Sequence, residues 1–99
     1  MPVIKISDNN LESKIPSTGS CVVDYYADWC GPCKMLSPVL DRIGAEDNVT
    51  VIKVDIDKFS DAARDAGVTS IPMLDFYKDG VKINTLRGAQ PEHVIRKHI

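Results

Sequence analysis

The sequence is short of cysteine, with three in 99 residues, and two of the three stand in one C-x-x-C motif. A small secreted protein held together by a disulfide framework needs more pairs, so the composition excludes that class. Long apolar runs are also missing, and none approaches the roughly 20 residues of a membrane span. The formal net charge is only −2, which gives no electrostatic basis for binding nucleic acid or an anionic membrane.

The N-terminus lacks the layout of a secretory signal peptide, because residues 1–7 do not form a basic segment followed by an apolar core. We therefore expect a reducing, cytoplasmic setting. Repeats, low-complexity tracts and linkers are absent from the sequence as well. A chain of 99 residues is large enough to bury a real core, and we predict a single domain over residues 1–99.

The motif Trp29-Cys30-Gly31-Pro32-Cys33-Lys34 lies between an apolar segment and a helical pattern. Cysteines three residues apart on a helix share one face, with Cβ atoms about 5–6 Å apart. A disulfide requires a Cβ separation of about 3.5–4.5 Å, so a small adjustment of the first helical turn closes or opens the bond. This arrangement predicts a redox site.

The two cysteines are not expected to be equivalent. Cys30 precedes the helix, where unpaired N–H groups and the positive end of the helix dipole favour a thiolate. Cys33 lies one turn inside and should be covered by the protein. We predict that Cys30 is the attacking nucleophile and that Cys33 resolves the mixed disulfide. Pro32 suits the first turn of a helix, and Gly31 leaves room for an approaching partner.

Three other uses of the C-x-x-C pair fit the sequence less well. A zinc site needs further ligands, but Cys21 is the only other cysteine, and His93 and His98 are far along the chain. Covalent haem attachment needs a histidine directly after the second cysteine, where this chain has Lys34. A purely structural disulfide is disfavoured without a secretion signal. We therefore predict no metal at this site.

Asp24 interrupts the apolar run Cys21–Tyr26. A bare charge is costly to bury, so one interpretation is an aspartate at the end of the sheet that reaches solvent or caps a loop. The other is a buried carboxyl beneath Cys33. Burial would raise the pKa of such a carboxyl and allow it to accept and return the proton of the resolving thiol.

The pattern of apolar residues and breakers predicts an α/β protein with a mixed sheet flanked by helices. The predicted strands are Val3–Ile6, Cys21–Tyr26, Thr50–Val54, Met73–Tyr77 and Val81–Leu86. The predicted helices are Ser7 or Asp8 to Lys14, Pro32 to Gly44 with a kink at Pro38, Phe59 to Ala66 ended by Gly67, and Pro91 to Ile99. The second and third strands should be parallel, and Lys78-Asp79-Gly80 should join an antiparallel hairpin.

Beyond the C-x-x-C motif, several runs share the spacing of one known family. These runs are Val23–Trp29, Pro38, Lys53–Asp57, Gly67–Pro72, Lys78–Gly80 and Arg87–Ala89. Through them the chain resembles the thioredoxin family along essentially its whole length. The resemblance implies the thioredoxin fold, with about five strands and about four helices, and the activity of a protein-disulfide reductase.

The resemblance also implies roles for residues outside the motif. Asp24 corresponds to the family's proton acceptor and donor, and Lys53 to the lysine that partners it. A lysine that simply extends out of the sheet is a nearly equal alternative for Lys53. The residues alone favour a trans proline that opens a strand, because only about 5–6% of X–Pro bonds are cis. The resemblance implies instead that the Ile71–Pro72 peptide bond is cis and faces the two cysteines.

An apolar docking surface for partner proteins is implied around Cys30. It comprises Trp29, Gly31, Pro32, Ile71, Pro72, Gly88 and Ala89. For Trp29 the alternative is a place in the core. The implied partners are proteins that contain disulfides and a thioredoxin reductase, which would recharge the redox-active disulfide from NADPH. The chain is expected to act as a monomer and to bind no cofactor itself.

Two residues fit this description less well. Cys21 has no partner at a suitable spacing, and we interpret it as a small core residue. Asp75 lies within a predicted inner strand, where it needs a partner or a route to water. If Asp75 lay near the cysteines it would shift their redox potential.

Two other functions remain open. A disulfide oxidase or isomerase could use the same fold, although Gly31-Pro32 replaces the histidine that oxidising relatives usually carry between the cysteines. A binding module with incidental thiols is the alternative from another class.

Overall fold

A computed structural model of the chain describes residues 3–46 and 48–99; Met1, Pro2 and Asp47 lie outside the described residues. Five strands form one sheet in the order β1-β3-β2-β4-β5. The strands are β1 Val3–Lys5, β2 Ser20–Tyr26, β3 Val49–Asp55, β4 Met73–Lys78 and β5 Val81–Arg87. The helices are α1 Gly31–Gly44, α2 Ser60–Asp65 and α3 Glu92–Arg96, with a 3₁₀ turn at Glu12–Lys14. The predicted α/β class and mixed sheet are confirmed.

The central strands are nearly continuous runs of buried residues, as expected for strands covered on both faces. β2 pairs in parallel with β3 and antiparallel with β4, and β4 pairs antiparallel with β5. The predicted parallel pair and hairpin are therefore both confirmed. At the hairpin, Asp79 and Gly80 have φ values of 52° and 82°, which is the left-handed geometry of a tight hairpin turn.

Side chains of the sheet point alternately to two helical layers. On one face Val22, Val51, Leu74 and Phe76 pack against α1 and against Ile95 of α3. On the other face Val23, Tyr25, Ile52 and Met73 pack against Ala62 and Ala63 of α2 and against Leu11. Because β2 alternates, Asp24 lies on the α1 face and its neighbour Tyr25 lies on the α2 face.

The predicted first helix, from Ser7 or Asp8 to Lys14, is wrong. The Asp8 carboxylate accepts the N–H of Asn10, and the Asn10 side chain accepts the N–H of Ser13. These local hydrogen bonds offer the backbone an alternative to the helix. Only Glu12–Lys14 forms a 3₁₀ turn, so the described chain has three α-helices where about four were predicted.

α1 agrees with its predicted range to within one residue, whereas α2 and α3 are shorter than predicted. α2 ends at Asp65, and Gly67 follows in the left-handed conformation with φ 73°, as expected of a C-terminal stop. After α3 ends at Arg96, the N–H groups of His98 and Ile99 bond three residues back instead of four. None of the helices in the described ranges is long and apolar enough to cross a membrane.

Candidate active site

The two cysteines of the C-x-x-C motif are joined as a disulfide at the start of α1, with their Cα atoms 5.3 Å apart. Cys30 is the residue immediately before the helix, and its Sγ atom accepts the backbone N–H of Cys33 at 3.2 Å. Pro32 lies in the first turn, where its missing N–H would have no helical partner. The structure thus places the Cys30 sulfur atom against a backbone N–H group of the first turn of the helix.

Solvent exposure does not separate the two cysteines, because Cys30 is 5% and Cys33 is 4% exposed. Their surroundings separate them. Cys30 lies between exposed Trp29 and exposed Gly31. Cys33 faces inward and lines a cavity together with Asp24. The two positions therefore differ in their neighbours, because exposed residues flank Cys30 and an internal carboxyl shares a cavity with Cys33.

The cavity beside Cys33, here called the Asp24 cavity, has a volume of about 200 Å³. Its lining residues are Lys5, Asp24, Tyr26, Ala27, Asp28, Cys33, Lys34, Ser37 and Lys53. Asp24 is 2% exposed, and its Oδ1 atom has no hydrogen-bond partner among the described residues. The carboxyl is therefore buried, and it does not reach solvent at the end of the sheet.

Burial raises the pKa of Asp24 from 3.8 to about 7, while the positive charge of Lys53 acts in the opposite direction. An ordinary aspartate is ionised throughout the neutral range. A carboxyl with a pKa near neutrality can instead both bind and release a proton there. The geometry and the pKa together equip Asp24 for proton exchange with a thiol that shares its cavity.

Lys53 lies beside Asp24 in the parallel register of β2 and β3, yet no ion pair joins these two described side chains. The Lys53 ammonium instead donates a hydrogen bond to Ser37 Oγ at 2.6 Å and lies 5.7 Å from the centre of the Tyr26 ring. Lys53 is 9% exposed, so it is held inside the cavity and does not extend into solvent.

The Ile71–Pro72 peptide bond is cis, as the resemblance implied. Ile71 packs against the cluster formed by Cys30, Cys33 and Ala27. The carbonyl oxygen of Pro72 accepts the N–H of Gly88 at 2.9 Å. That hydrogen bond ties the segment containing Gly88 and exposed Ala89 to the end of β4 that lies next to the cysteines.

Trp29 is 69% exposed, so the alternative of a core tryptophan is wrong. Its indole N–H donates a hydrogen bond to Asp57 Oδ2 at 2.9 Å. Met35, on the first turns of α1, is 77% exposed and adds a second large apolar side chain to this end of the molecule. Trp29 and exposed Pro32, which flank Cys30 closely along the chain, present apolar surface at the disulfide.

Sequence reasoning missed Ser37, Asp57 and Met35. Ser37 follows Cys33 by four residues, which places both on one face of a helix, and that spacing was the available signal. Asp57 and Met35 carry no comparable signal, because exposed aspartate and methionine are common, and only the tertiary structure brings Asp57 to Trp29.

Asp75 and Cys21 lie away from the disulfide, on the α2 face of the sheet. Asp75 is fully buried; it accepts a hydrogen bond from Thr85 Oγ1 at 2.6 Å, and Lys82 Nζ lies 3.8 Å from its other oxygen. Its proposed influence on the redox site therefore loses its geometric basis. Cys21 is 1% exposed, and burial raises the pKa of its thiol to about 12, which makes it an inert core residue.

The chain is similar over its full length to known proteins. A family model described as thioredoxin matches residues 2–99. The thioredoxin of Staphylococcus aureus is 38% identical over 105 residues, covering 100% of both chains. Among solved structures, a mutant thioredoxin from Halobacterium salinarum NRC-1 superposes with a TM-score of 0.87 at 29% identity, over 97% of this chain and 86% of that one. The thioredoxin of Malassezia sympodialis gives a TM-score of 0.81 at 36% identity, over 99% and 94%.

Proposed function

This chain belongs to the thioredoxin family and is a protein-disulfide oxidoreductase with a redox-active C-x-x-C pair, and we propose that Cys30 and Cys33 divide the reaction into two steps. In the first, the Cys30 thiolate attacks one sulfur of a disulfide in a partner protein. A mixed disulfide forms and the partner's other sulfur leaves as a thiolate. In the second, the Cys33 thiolate attacks Cys30 Sγ, the Cys30–Cys33 disulfide forms, and the partner leaves with both sulfurs reduced.

The assignment of Cys30 as nucleophile is supported by its place at the start of α1. The N–H of Cys33 points at its sulfur, and the positive end of the helix dipole lies at the same point. Both favour the thiolate over the thiol. The exposed residues on either side of Cys30 leave a partner disulfide a path to this sulfur.

The proposed role of Asp24 is to accept the proton of the Cys33 thiol before the second step. Both groups line the Asp24 cavity, and burial brings the pKa of the carboxyl to about 7, closer to that of a thiol than an ordinary aspartate. Lys53 contributes a positive charge that limits the rise of that pKa. The proton returns to Cys33 when the Cys30–Cys33 disulfide is itself reduced for the next cycle.

The apolar docking surface around Cys30 would receive the partner protein. The exposed indole of Trp29 and the exposed small residues Gly31 and Ala89 support this proposal, since small residues permit close approach of backbones. We further propose that the chain works as a single monomeric domain in the cytoplasm. A thioredoxin reductase drawing on NADPH would recharge it. The disulfide itself carries the two electrons, so the chain needs no cofactor of its own.

The division of roles is tested by two matched substitutions. With Cys33→Ser, attack by Cys30 still occurs but resolution does not, so a covalent complex with a disulfide-containing protein such as insulin should accumulate and dissolve on addition of dithiothreitol. With Cys30→Ser no such complex should form. Non-reducing electrophoresis and mass measurement read both results. A complex that accumulates with Cys30→Ser and not with Cys33→Ser would reverse the assignment.

A further inference from the structure

We propose that Ser37 is a positioning residue for disulfide exchange, because its hydroxyl oxygen holds the Lys53 ammonium on the α1 side of the Asp24 cavity and keeps it out of an ion pair with Asp24. This inference rests on the proposed role of Asp24 as proton acceptor. It gives a function to a serine that sequence reasoning did not select.

The contact between Ser37 and Lys53 is short and lies inside the cavity. The distance from Lys53 Nζ to Ser37 Oγ is 2.6 Å, and both side chains line the same cavity as Asp24 and Cys33. Ser37 is half-buried on α1, one helical turn beyond Cys33. The hydroxyl is thus fixed by the same helix that fixes the resolving thiol.

The alternative position of the ammonium would be next to the carboxyl. Asp24 and Lys53 are register partners on adjacent parallel strands, which places their backbones only about 4.8 Å apart. A lysine so placed has the reach to form an ion pair with the aspartate. In this structure the ammonium instead meets Ser37 and the face of Tyr26.

The position of Lys53 matters because it is the buried cation among the groups around Asp24. The charged and titratable side chains that line the cavity with Asp24 are Lys5, Tyr26, Asp28, Cys33, Lys34 and Lys53. Lys5 and Lys34 are exposed, so solvent screens their charges, and β4 contributes only apolar Leu74 beside Asp24. An opposite charge within about 4–6 Å lowers a carboxyl pKa by about 1–3 units.

A direct ion pair would therefore make Asp24 a weaker base. A carboxylate with an ordinary or lowered pKa takes a proton poorly from a thiol, whose unperturbed pKa is about 8.5. Because Ser37 holds the ammonium by a hydrogen bond, the pKa of the desolvated Asp24 carboxyl stays close to 7. The serine acts through Lys53 on Asp24 and does not itself touch the sulfur atoms.

The substitution Ser37→Ala tests the inference. Without the hydroxyl, the buried ammonium should move to Asp24, and the Asp24 pKa measured by NMR titration of its side-chain carbonyl carbon should fall by about one unit. The limb of the pH–rate profile for insulin reduction that depends on Asp24 should shift to lower pH by a similar amount. Ser60→Ala, at an exposed serine, is the matched control and should leave the Asp24 pKa unchanged.

Two further variants separate positioning from a general structural effect. Ser37→Thr retains the hydroxyl, and its Asp24 pKa should equal that of the parent. In a Lys53→Met background, Ser37→Ala should no longer shift that pKa. If the Asp24 pKa is the same in Ser37→Ala as in the parent, the inference is overturned, whether or not Asp24→Asn slows insulin reduction. If Asp24→Asn leaves the rate of insulin reduction unchanged across the pH range, the proposed role of Asp24 fails instead.

Discussion

The Asp24 carboxyl carries a free-energy cost that depends on pH. Its pKa is about 7 in the folded protein, against 3.8 for an ordinary aspartate, so the folded chain binds this proton more tightly than the unfolded chain does. Between about pH 4 and pH 7 the folded state therefore holds more protons, and the free energy of unfolding falls as the pH rises through this window. A difference of about three pKa units corresponds to about 4 kcal/mol at most.

Asp24→Asn should remove most of this dependence. We expect the oxidised variant to lose the decline in stability between about pH 4 and pH 7, and to be more stable than the oxidised parent at pH 8 by an amount on the order of 2–4 kcal/mol. Denaturant unfolding at a series of pH values measures the free energy of unfolding of both proteins. Asp41→Asn, at an exposed aspartate on α1, is the control and should keep the slope of the parent. An Asp24→Asn variant with the parent's slope would contradict the assignment.

At the residue scale, prediction succeeded where the side chain conflicted with its local sequence. Asp24 could be found because a carboxyl inside an apolar strand needs an explanation, and the structure places it buried beside Cys33. Ser37 and Asp57 could not, since neither residue type is unusual at its position. Their importance comes from Lys53 and Trp29, which are distant in sequence and are brought to them only by folding.

At the element scale, the pair of strands β4 and β5 holds a second buried polar group. Asp75 is fully buried between Val23 of β2 and Thr85 of β5 in the strand register. One of its oxygens depends on the Thr85 hydroxyl, and the other is 3.8 Å from Lys82. The hydrogen bond from Thr85 is therefore important for the stability of this edge of the sheet.

Thr85→Val should destabilise the protein by about 1–3 kcal/mol, because it keeps the shape of the side chain and leaves a buried carboxyl oxygen without its hydrogen-bond donor. The change is measured as a lower denaturant midpoint at an unchanged slope. Thr18→Val, at an exposed loop threonine, is the matched control and should have little effect. Equal midpoints for the two variants would mean that the Thr85–Asp75 contact contributes nothing to stability.

Elements with strong periodicity were predictable and the short polar ones were not. The central strands β2, β3 and β4 follow from runs of buried residues, and α1 follows from the Pro32 start of the helix. The expected helix before Pro16 did not form, because Asp8 and Asn10 bond to nearby backbone groups. Such competition depends on side-chain geometry that an apolar pattern does not encode.

For the whole molecule, the sheet separates two polar environments. The Asp24 cavity lies on the α1 face with the disulfide, whereas Asp75, Tyr25 and Cys21 lie on the α2 face. The connections along the chain predicted the parallel pair β2–β3 and the antiparallel pair β4–β5. The sheet order β1-β3-β2-β4-β5 also pairs strands that are not consecutive along the chain. The cis bond before Pro72 was expected only through the resemblance to thioredoxins, and the order of the strands within the sheet was not among the predictions.

The direction of electron flow is the central claim, and a redox equilibrium tests it most directly. The protein is equilibrated in a series of dithiol–disulfide buffers while the fluorescence of Trp29, next to Cys30, is followed. We predict one two-electron transition at a potential more reducing than the cytosolic glutathione pool, whose poise by biochemical extraction is about −220 to −260 mV. A transition on the oxidising side of that pool would contradict the reductase and indicate an oxidase or isomerase. Free thiols that persist throughout the series would leave only the binding module.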